Sequence, residues 1–435
     1  MLPVNPGGHA AYQNFVATNL RKYYPNPDAF SPATWDIIER FWNLDLSYTD
    51  DLLRSKYSVF DPNPRTPSCM QRSYLLSIDF KIHSLTDWAA QLKINPLYAI
   101  LSGFEFGDTP GVGTFYDFLS RLWDSEDSNL SSHLRPAKEK RIKKPTQKGA
   151  KAESVEKVSV DQLLGQLEAA SFVLDDQPYS SLFKIYHREF LSQSITKGLI
   201  DPSVLSLAGD GTPVVTSARE RKHPASKHDS LGFLETWFRM KAFLPDLHVS
   251  KWLLDSAHDA MPYYIYCRKN HIQPFIDLNV KRGIKVKYKN DFTIGEDGVP
   301  VCKAGRKMRH DGSEPSKGRL KFRCPLASRK YGCSCTHPCS DSKYGRTVHL
   351  AMKDNPRLIN FPPRDTKEWK KEFNARTSAE RSNKREKIGF QLESGRHRST
   401  KMWYCRLYHI MMLQHLDAWD LPFESPLRKL ILEVA

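Results

Sequence analysis

The sequence predicts an α/β protein in which a mixed sheet is flanked by helices, with a helical N-terminal region and a β-rich basic insertion. Three observations lead to this prediction. Apolar residues recur at three- and four-residue spacing between Tyr12 and Trp123, as in helices. Short apolar runs alternate with helical segments between residues 204 and 278, which is typical of α/β folds. Residues 281–346 hold seventeen basic against six acidic residues, with apolar and lysine side chains alternating at their start.

Composition and charge limit the classes of function. The chain has 435 residues, and 40% of them are hydrophobic, so a collagen-like, coiled-coil or wholly disordered protein is excluded. Lys and Arg outnumber Asp and Glu by 65 to 49, and a net charge of +16 on a folded protein indicates a polyanionic partner such as nucleic acid. The first fifteen residues lack the features of a signal peptide, and no apolar run reaches the ~18 residues of a membrane helix. We therefore expect a cytoplasmic protein with no membrane partner.

The N-terminal region, residues 1–133, is predicted to be a set of short helices separated by prolines, and to bind DNA. Two of these helices, at residues 95–104 and 114–122, flank a turn with Gly and Pro, which fits a helix-turn-helix or an ordinary helical bundle. Residues 134–158 are predicted to be a basic linker. Between Arg135 and Lys157, nine basic residues accompany three acidic ones and almost no large apolar groups. Such a linker is either simply solvated or lies along DNA phosphates.

Two carboxylates follow predicted strands after residue 159. The apolar run at residues 204–208 ends in Gly209-Asp210-Gly211, and a second run, residues 247–254, ends at Asp255. Each Asp alone is typical of a turn. The remaining predicted elements here are a hairpin arm at residues 213–217, a helix at residues 261–270 and a strand at residues 273–278.

A third carboxylate lies in a cationic helical segment. At about 100° per residue, Arg376, Glu380, Lys384 and Lys387 fall within about 60° of one another. This stripe alone fits a solvated helix face with i,i+4 ion pairs. The order of residue types is more informative, because an aromatic residue, Phe373, precedes Arg376 by three positions. The next helical segment, residues 400–419, is predicted to pack beneath this one through the stripe Trp403, Leu407, Ile410 and Met411.

The spacing of Phe373, Arg376, Glu380 and Lys387 resembles the Tyr-Arg-Glu-Lys signature of bacterial insertion-sequence transposases of the DDE class, with Phe in the place of Tyr. The Asp-Gly-Thr at Asp210 and the strand end at Asp255 are similar to the two catalytic Asp positions of this family. The resemblance implies an RNase H-like catalytic domain formed by residues 159–280 and 351–435. It implies metal-dependent cleavage and strand transfer of transposon DNA ends into target DNA, by a homodimer on DNA.

The resemblance also implies roles for individual residues. Asp210, Asp255 and Glu380 would be catalytic and would hold two Mg²⁺ ions, or Mn²⁺ in their place, with Asp210 bridging the pair. Two metal ions about 3.5 to 4 Å apart activate the attacking oxygen and stabilise the leaving oxygen of a phosphodiester, and Mg²⁺ prefers hard oxygen ligands. The candidate DNA-binding residues are Phe373, Arg376, Lys384 and Lys387.

Some alternatives stay open. Asp259 lies four residues after Asp255, and either carboxylate could reach a metal; we favour Asp255 because it follows the strand directly, and interpret Asp259 as a helix N-cap or a supporting group. The chain could also be a catalytically inactive, transposase-derived DNA-binding protein. A metal-dependent nuclease that cuts DNA without joining the ends is the third candidate.

Cysteines concentrate in the basic insertion, residues 281–350. Five of the eight lie between Cys302 and Cys339, and clustered thiols in a reducing compartment favour structural zinc over disulfides. Reduced cysteines without a metal are the alternative interpretation. The candidate zinc ligands are Cys302, Cys324, Cys335 and Cys339, with Cys333 left over.

Overall fold

The computed structural model describes residues 8–26, 30–58, 64–125, 158–211, 229–279, 287–288, 292–295, 297–328, 332–336, 338–395, 397, 399–419 and 426–432. These residues form a mixed α/β structure of one helical bundle, one parallel sheet and a β-rich insertion, so the α/β prediction is confirmed at this level. Nearly all of the predicted linker and the hairpin arm at residues 213–217 lie outside the described residues. None of the described helices is long and apolar enough to cross a membrane.

Short helices with well-defined ends form the N-terminal bundle. Ser84 caps the fifth helix by accepting a hydrogen bond from the backbone N–H of Asp87, and Asn95 caps the sixth, which has Pro96 in its first turn. Gly103 ends the sixth helix in the left-handed conformation, with φ 88°. The helices are α1 Gly8–Tyr23, α2 Pro32–Trp42, α3 Ser47–Leu53, α4 Pro67–Asp79, α5 Leu85–Ile94, α6 Pro96–Ser102 and α7 Val112–Arg121, with a 3₁₀ turn at Arg54–Lys56.

Later segments of the chain complete this bundle. Its core includes Leu182 and Phe190 from the middle of the chain, and Ile410 and Leu413 from near the C-terminus. The elements that supply these residues are α9 Ser180–Ile185, a π-helical turn Tyr186–Leu191, α10 Ser192–Thr196, α15 Thr400–Ala418 and α16 Pro426–Leu432. Residues predicted to belong to the catalytic domain thus share one apolar core with the N-terminal helices.

The predicted apolar stripe of α15 is wrong in part. Ile410 is fully buried, but Trp403, Leu407 and Met411 are only partly buried. The helix instead buries a face that includes His409, Met412 and Leu413 against α4 and the neighbouring bundle helices. The bundle, and not the Glu-bearing helix, is therefore the main packing partner of α15.

Three parallel strands, β1 Leu205–Gly209, β2 Val249–Leu254 and β3 Gln273–Ile276, form a sheet in the order β1-β2-β3. Alternate residues of β2 face opposite sides: Trp252 packs among aromatic side chains of the helices on one face, and Leu253 packs with Trp369 on the other. The first face is covered by α8 Val160–Ala169, α11 Asp229–Phe243 and α12 Met261–Lys269. The second face carries α13 Lys367–Asn374, which is followed by α14 Thr377–Lys384.

The insertion contains two small antiparallel sheets and a two-stranded ribbon. One sheet has the order β4-β5-β6 and the other β11-β8-β7. Its core is small and includes Phe322 and Leu350, which are fully buried. The strands are β4 Lys287–Tyr288, β5 Phe292–Ile294, β6 Pro300–Cys302, β7 Arg309–Glu314, β8 Arg319–Arg323, β9 Ala327–Ser328, β10 Gly332–Cys333 and β11 Thr347–Ala351, with a 3₁₀ turn at Pro315–Lys317.

Candidate active site at the strand ends

Asp210 and Asp255 occupy equivalent positions on neighbouring strands. The last paired residues of β1 and β2 are Gly209 and Leu254. Asp210 directly follows β1, and Asp255 directly follows β2. Because paired strands lie about 4.8 Å apart, these two positions are adjacent at the carboxyl edge of the sheet. Gly209 permits this close pairing, since a Cβ atom there would stand 2.6 Å from side-chain atoms of Leu254 and Phe233.

Asp255 is held by the turn that follows its strand. Its Oδ1 accepts a hydrogen bond from the backbone N–H of Ala257 at 3.0 Å and lies 2.7 Å from Nδ1 of His258, which is buried. The carboxylate thereby caps the 3₁₀ turn Ser256–His258. About 38% of the Asp255 side chain is exposed, so solvent and ligands can reach it.

Asp259 has a different environment. It is fully buried, and its carboxylate forms a bidentate contact with the guanidinium of Arg357, at 2.6 to 2.9 Å. The Tyr264 hydroxyl donates to Oδ1 at 2.9 Å, and the backbone N–H of Asn279 donates to Oδ2 at 2.8 Å. The N-cap interpretation of Asp259 is wrong, because the N-cap of α12 is Ala260, without a side-chain cap. Both Asp259 oxygens are engaged in protein contacts, which makes Asp255 the accessible carboxylate of the two.

The helix pair α13 and α14 is anchored on the sheet by its aromatic residues. Trp369 packs on Phe275 of β3, and Phe373 stacks on Trp369 with ring centroids 4.6 Å apart. The Lys251 ammonium of β2 forms an ion pair of 2.6 Å with Glu372. Phe373 therefore serves as a packing residue under the start of α14 in addition to lying beside the predicted site.

One hydrogen bond connects α14 to the end of β1. The Asn383 side-chain amide donates to Oδ2 of Asp210 at 3.0 Å. Glu380 lies three residues before Asn383, and residues three apart share one face of a helix. Glu380 therefore lies one turn from the contact with Asp210, on the side of α14 that borders the strand ends.

The cationic residues around Glu380 follow the predicted stripe only in part. The Arg376 guanidinium forms an ion pair of 2.6 Å with Glu380, and Lys384 is exposed one turn further on. Lys387 lies in a π-helical turn, Arg385–Gly389, where the rotation of about 100° per residue no longer applies, and its ammonium lies 3.3 Å from Glu393. The predicted helical phase is thus correct as far as Lys384 and wrong for Lys387.

In the described part of the chain, no group of three or more His, Cys, Asp or Glu side chains is arranged to hold a metal ion. Each of the three candidate carboxylates, Asp210, Asp255 and Glu380, bonds a separate protein group: Asn383, His258 and Arg376, respectively. These contacts use one oxygen of each carboxylate, and half of the Glu380 side chain is exposed.

The four cysteines predicted as zinc ligands come together in the insertion. Cys302, Cys324, Cys335 and Cys339 line one cavity of about 20 Å³. The side chain of Cys333 lies outside the described residues. The cavity belongs to a different region from the strand-end carboxylates, so the two candidate sites are separate.

Three residues of the strand-end site were not anticipated from the sequence. Asn383 and His258 contact Asp210 and Asp255 directly, and Arg357 neutralises Asp259 across 98 residues of sequence. A signal existed for His258, because a His three residues after a strand-end Asp can reach it within one turn. Neither Asn383 nor Arg357 has a sequence pattern that indicates its partner.

Comparisons with known proteins add no assignment: none of the family models, curated proteins or solved structures compared with this chain matches it.

Proposed function

We propose that this chain is a transposase of the DDE class, which cleaves the ends of an insertion-sequence DNA and joins them to target DNA. The main observation in support is the adjacency of Asp210 and Asp255 beyond the paired residues Gly209 and Leu254, with the Glu380 helix bonded to Asp210 through Asn383. The RNase H-like interpretation of the sheet and the Asp-Asp-Glu spacing belong to the same proposal.

The candidate ligands suit a pair of Mg²⁺ ions in two respects, the type of ligand atom and its availability. All three candidate ligands are carboxylates, and each has one oxygen outside the contacts described above. When bound, the ion pair would supply an activated attacking oxygen and stabilise the leaving oxygen. Asn383 would orient Asp210, and His258 would orient Asp255 through its Nδ1–H. Arg376 would release Glu380 to a metal and be available to a phosphate oxygen, since a guanidinium binds either anion.

The charge of the helix supports DNA as the substrate. Lys384 is exposed on the same helix as Glu380, and Arg381 is exposed beside it. Exposed cations next to a carboxylate cluster attract a phosphodiester backbone and position it for attack. A pair of DNA ends calls for two active sites, and we propose a homodimer on DNA for this reason.

The first test measures cleavage and joining of DNA. The substrate is a supercoiled plasmid that carries the coding sequence with its natural flanking DNA, so that any element ends are present. We expect strand breaks at the flanks and joined products with Mg²⁺ or Mn²⁺, and neither with EDTA. Asp210→Asn, Asp255→Asn and Glu380→Gln should each reduce both products by at least ~100-fold, because each removes a charged group that acts in the transition state.

The matched control is Asp176→Asn, which alters an exposed carboxylate away from the strand ends and should retain both products. Asp210→Asn, Glu380→Gln and Asp176→Asn should unfold within about 0.5 kcal/mol of the unaltered chain, because these side chains are exposed. Asp255→Asn keeps an oxygen acceptor for Ala257 and His258 and should unfold within about 1 kcal/mol. Breaks without joined products would instead identify a nuclease. DNA binding with no metal-dependent breaks would identify a non-catalytic DNA-binding protein, and either result would overturn the proposal.

A further inference from the structure

The cavity of the insertion is lined by cysteines from three different segments of the chain. Cys302 ends β6, Cys324 follows β8, and Cys335 and Cys339 lie after the ribbon β9-β10. Its volume of about 20 Å³ is close to that of one water-sized sphere. This space is large enough for a single ion.

Two of the cysteines begin similar tight turns at strand ends. The backbone N–H of Gly305 donates to the carbonyl of Cys302 at 2.9 Å, and Gly305 has the left-handed φ of 74° that this turn requires. The backbone N–H of Ala327 approaches the carbonyl of Cys324 at 3.5 Å, and the N–H of Cys324 donates to the carbonyl of Arg346 at 2.9 Å. Each turn holds its cysteine at a fixed place on the cavity wall.

Gly345 makes room for the second turn. Its φ is 67°, and a Cβ atom there would stand 2.5 Å from Cβ of Ala327 and 3.0 Å from Cβ of Cys324. The close approach of this glycine holds the backbone of residues 324–327 against the segment that leads into β11. Cys335 and Cys339 complete the wall with three residues between them, a spacing within the range of paired zinc ligands.

We propose that these four cysteines bind one structural Zn²⁺ ion. Thiolates are the ligands that zinc prefers, and four of them form a closed tetrahedral site without a position for catalysis. Lys303 and Arg306 also line the cavity and would offset the net negative charge of a zinc ion with four thiolates. The side chains do not stand at metal-ligand geometry. Binding therefore requires the ligand side chains to rearrange, and Cys339 is exposed while Cys302 and Cys335 are only partly buried.

The position of the cavity gives the ion a structural role. Cys302 belongs to the sheet β4-β5-β6, and Cys324 leaves the sheet that contains β7, β8 and β11. A bound ion would cross-link the two sheets and the segment after the ribbon through its thiolate ligands. This inference concerns a separate site and does not depend on the proposed transposase function.

The test is the metal content of the purified full-length chain, measured by inductively coupled plasma mass spectrometry after growth in zinc-supplemented medium. We expect one Zn²⁺ per chain. Cys302→Ser, Cys335→Ser and Cys339→Ser should each lower the zinc content at least tenfold, whereas Cys69→Ser, in the helical bundle, should retain one ion. Cobalt substitution provides a second readout, because four thiolate ligands give intense charge-transfer absorption that each ligand variant should lose.

Cys339 is exposed, so its substitution tests the ligand and not the folding of the insertion. Zinc absent from the unaltered chain, or iron in its place, would overturn the proposal. A disulfide between Cys335 and Cys339 in peptide mapping would also overturn it. Loss of zinc in Cys333→Ser together with its retention in Cys339→Ser would show that the assigned ligand set is wrong.

Discussion

The helical bundle and the β-rich insertion differ in how much apolar surface they bury. Among the described residues, the bundle core contains 40 buried apolar side chains, and the core that holds the insertion contains 11, of which eight lie within residues 281–350. The bundle brings together helices from both ends of the chain, whereas the insertion is one continuous stretch of sequence. Ion pairs are frequent on its surface, as at Asp311, which contacts both Lys321 and Arg323.

The comparison shows that two regions of one chain can be stabilised in different ways, one by a large apolar core and the other by a cross-link. A large apolar core stabilises the bundle without further help. A small module rarely obtains enough stability from its core alone and usually needs a metal or another cross-link. Surface ion pairs contribute little in water, so they do not replace the missing core. The cysteine cavity lies in the region that needs such a cross-link.

The largest expected effect comes from the apolar core of the bundle. Phe118 is buried in α7, and Phe118→Ala should lower the free energy of unfolding by about 3 to 5 kcal/mol, because it removes packing and leaves a cavity. Denaturant unfolding followed by circular dichroism measures this loss. Tyr116→Ala, on the exposed side of the same helix, is the control and should change stability by less than about 0.5 kcal/mol.

The same substitution in the insertion sharpens the comparison. Phe322→Ala should increase hydrogen exchange in β7, β8 and β11 while the bundle amides keep their protection, since the two cores are separate clusters. Equal loss of protection in both regions would contradict the distinction between them.

The second effect is loss of bundle stability in acid. Burial lowers the pKa of His409 and of His415 from 6.5 to about 4. A group whose pKa is lowered by folding contributes stability that is complete above its unfolded pKa of 6.5 and is lost as the pH falls towards 4. The loss should reach on the order of 3 kcal/mol for each histidine, and chemical denaturation between pH 7 and pH 4 measures it.

His409→Gln separates this cause from general acid effects. His409 Nε2 lies 3.0 Å from Oε1 of Gln71, and Nδ1 lies 2.6 Å from the carbonyl of Cys405. Glutamine keeps a hydrogen-bonding side chain but does not titrate. The slope of the free energy of unfolding against pH near pH 5 should therefore decrease by the amount that corresponds to about one proton taken up on unfolding. An unchanged slope would show that His409 is not responsible.

The smallest effect is expected at the surface of the insertion. Asp311→Asn removes the contacts with Lys321 at 3.1 Å and Arg323 at 2.7 Å. These side chains are partly solvated, so the stability of the insertion should fall by less than about 1 kcal/mol, and the difference should shrink further in 1 M salt. Thermal unfolding of the unaltered chain and the variant at two salt concentrations provides the measurement. A larger, salt-independent loss would mean that ion pairs do stabilise this module.

Local patterns predicted the parts of the fold that depend on local sequence. The strands ending at Asp210 and Asp255 lie within a few residues of the predicted positions, because β-branched and aliphatic runs bounded by Asp and Gly define strand ends. The helix at Met261–Lys269 is also where the periodicity predicted it. The two Asp positions are adjacent because the strands pair in parallel, and this pairing is seen only in the structure.

Contacts between distant segments could not be predicted in this way. The pairing of Asp259 with Arg357 depends on two polar residues being buried together, and neither residue type indicates burial by itself. The packing of α15 in the bundle required knowledge of which apolar face meets which neighbour. The π-helical turn at Arg385–Gly389 changes the phase of Lys387 without a Pro or Gly break within the preceding helix α14 to signal it.

The buried contact of Asp259 with Arg357 and Asn279 also bears on how this chain could have been assembled. Arg357 donates to the carbonyl of Asn279 at 3.2 Å, so the residues where the insertion leaves and re-enters the rest of the protein touch each other. Additional modules are accommodated most easily where their two ends meet, since the host fold then closes without them. Because its two ends lie side by side, the insertion is a unit that evolution can lengthen, exchange or delete without rebuilding the sheet.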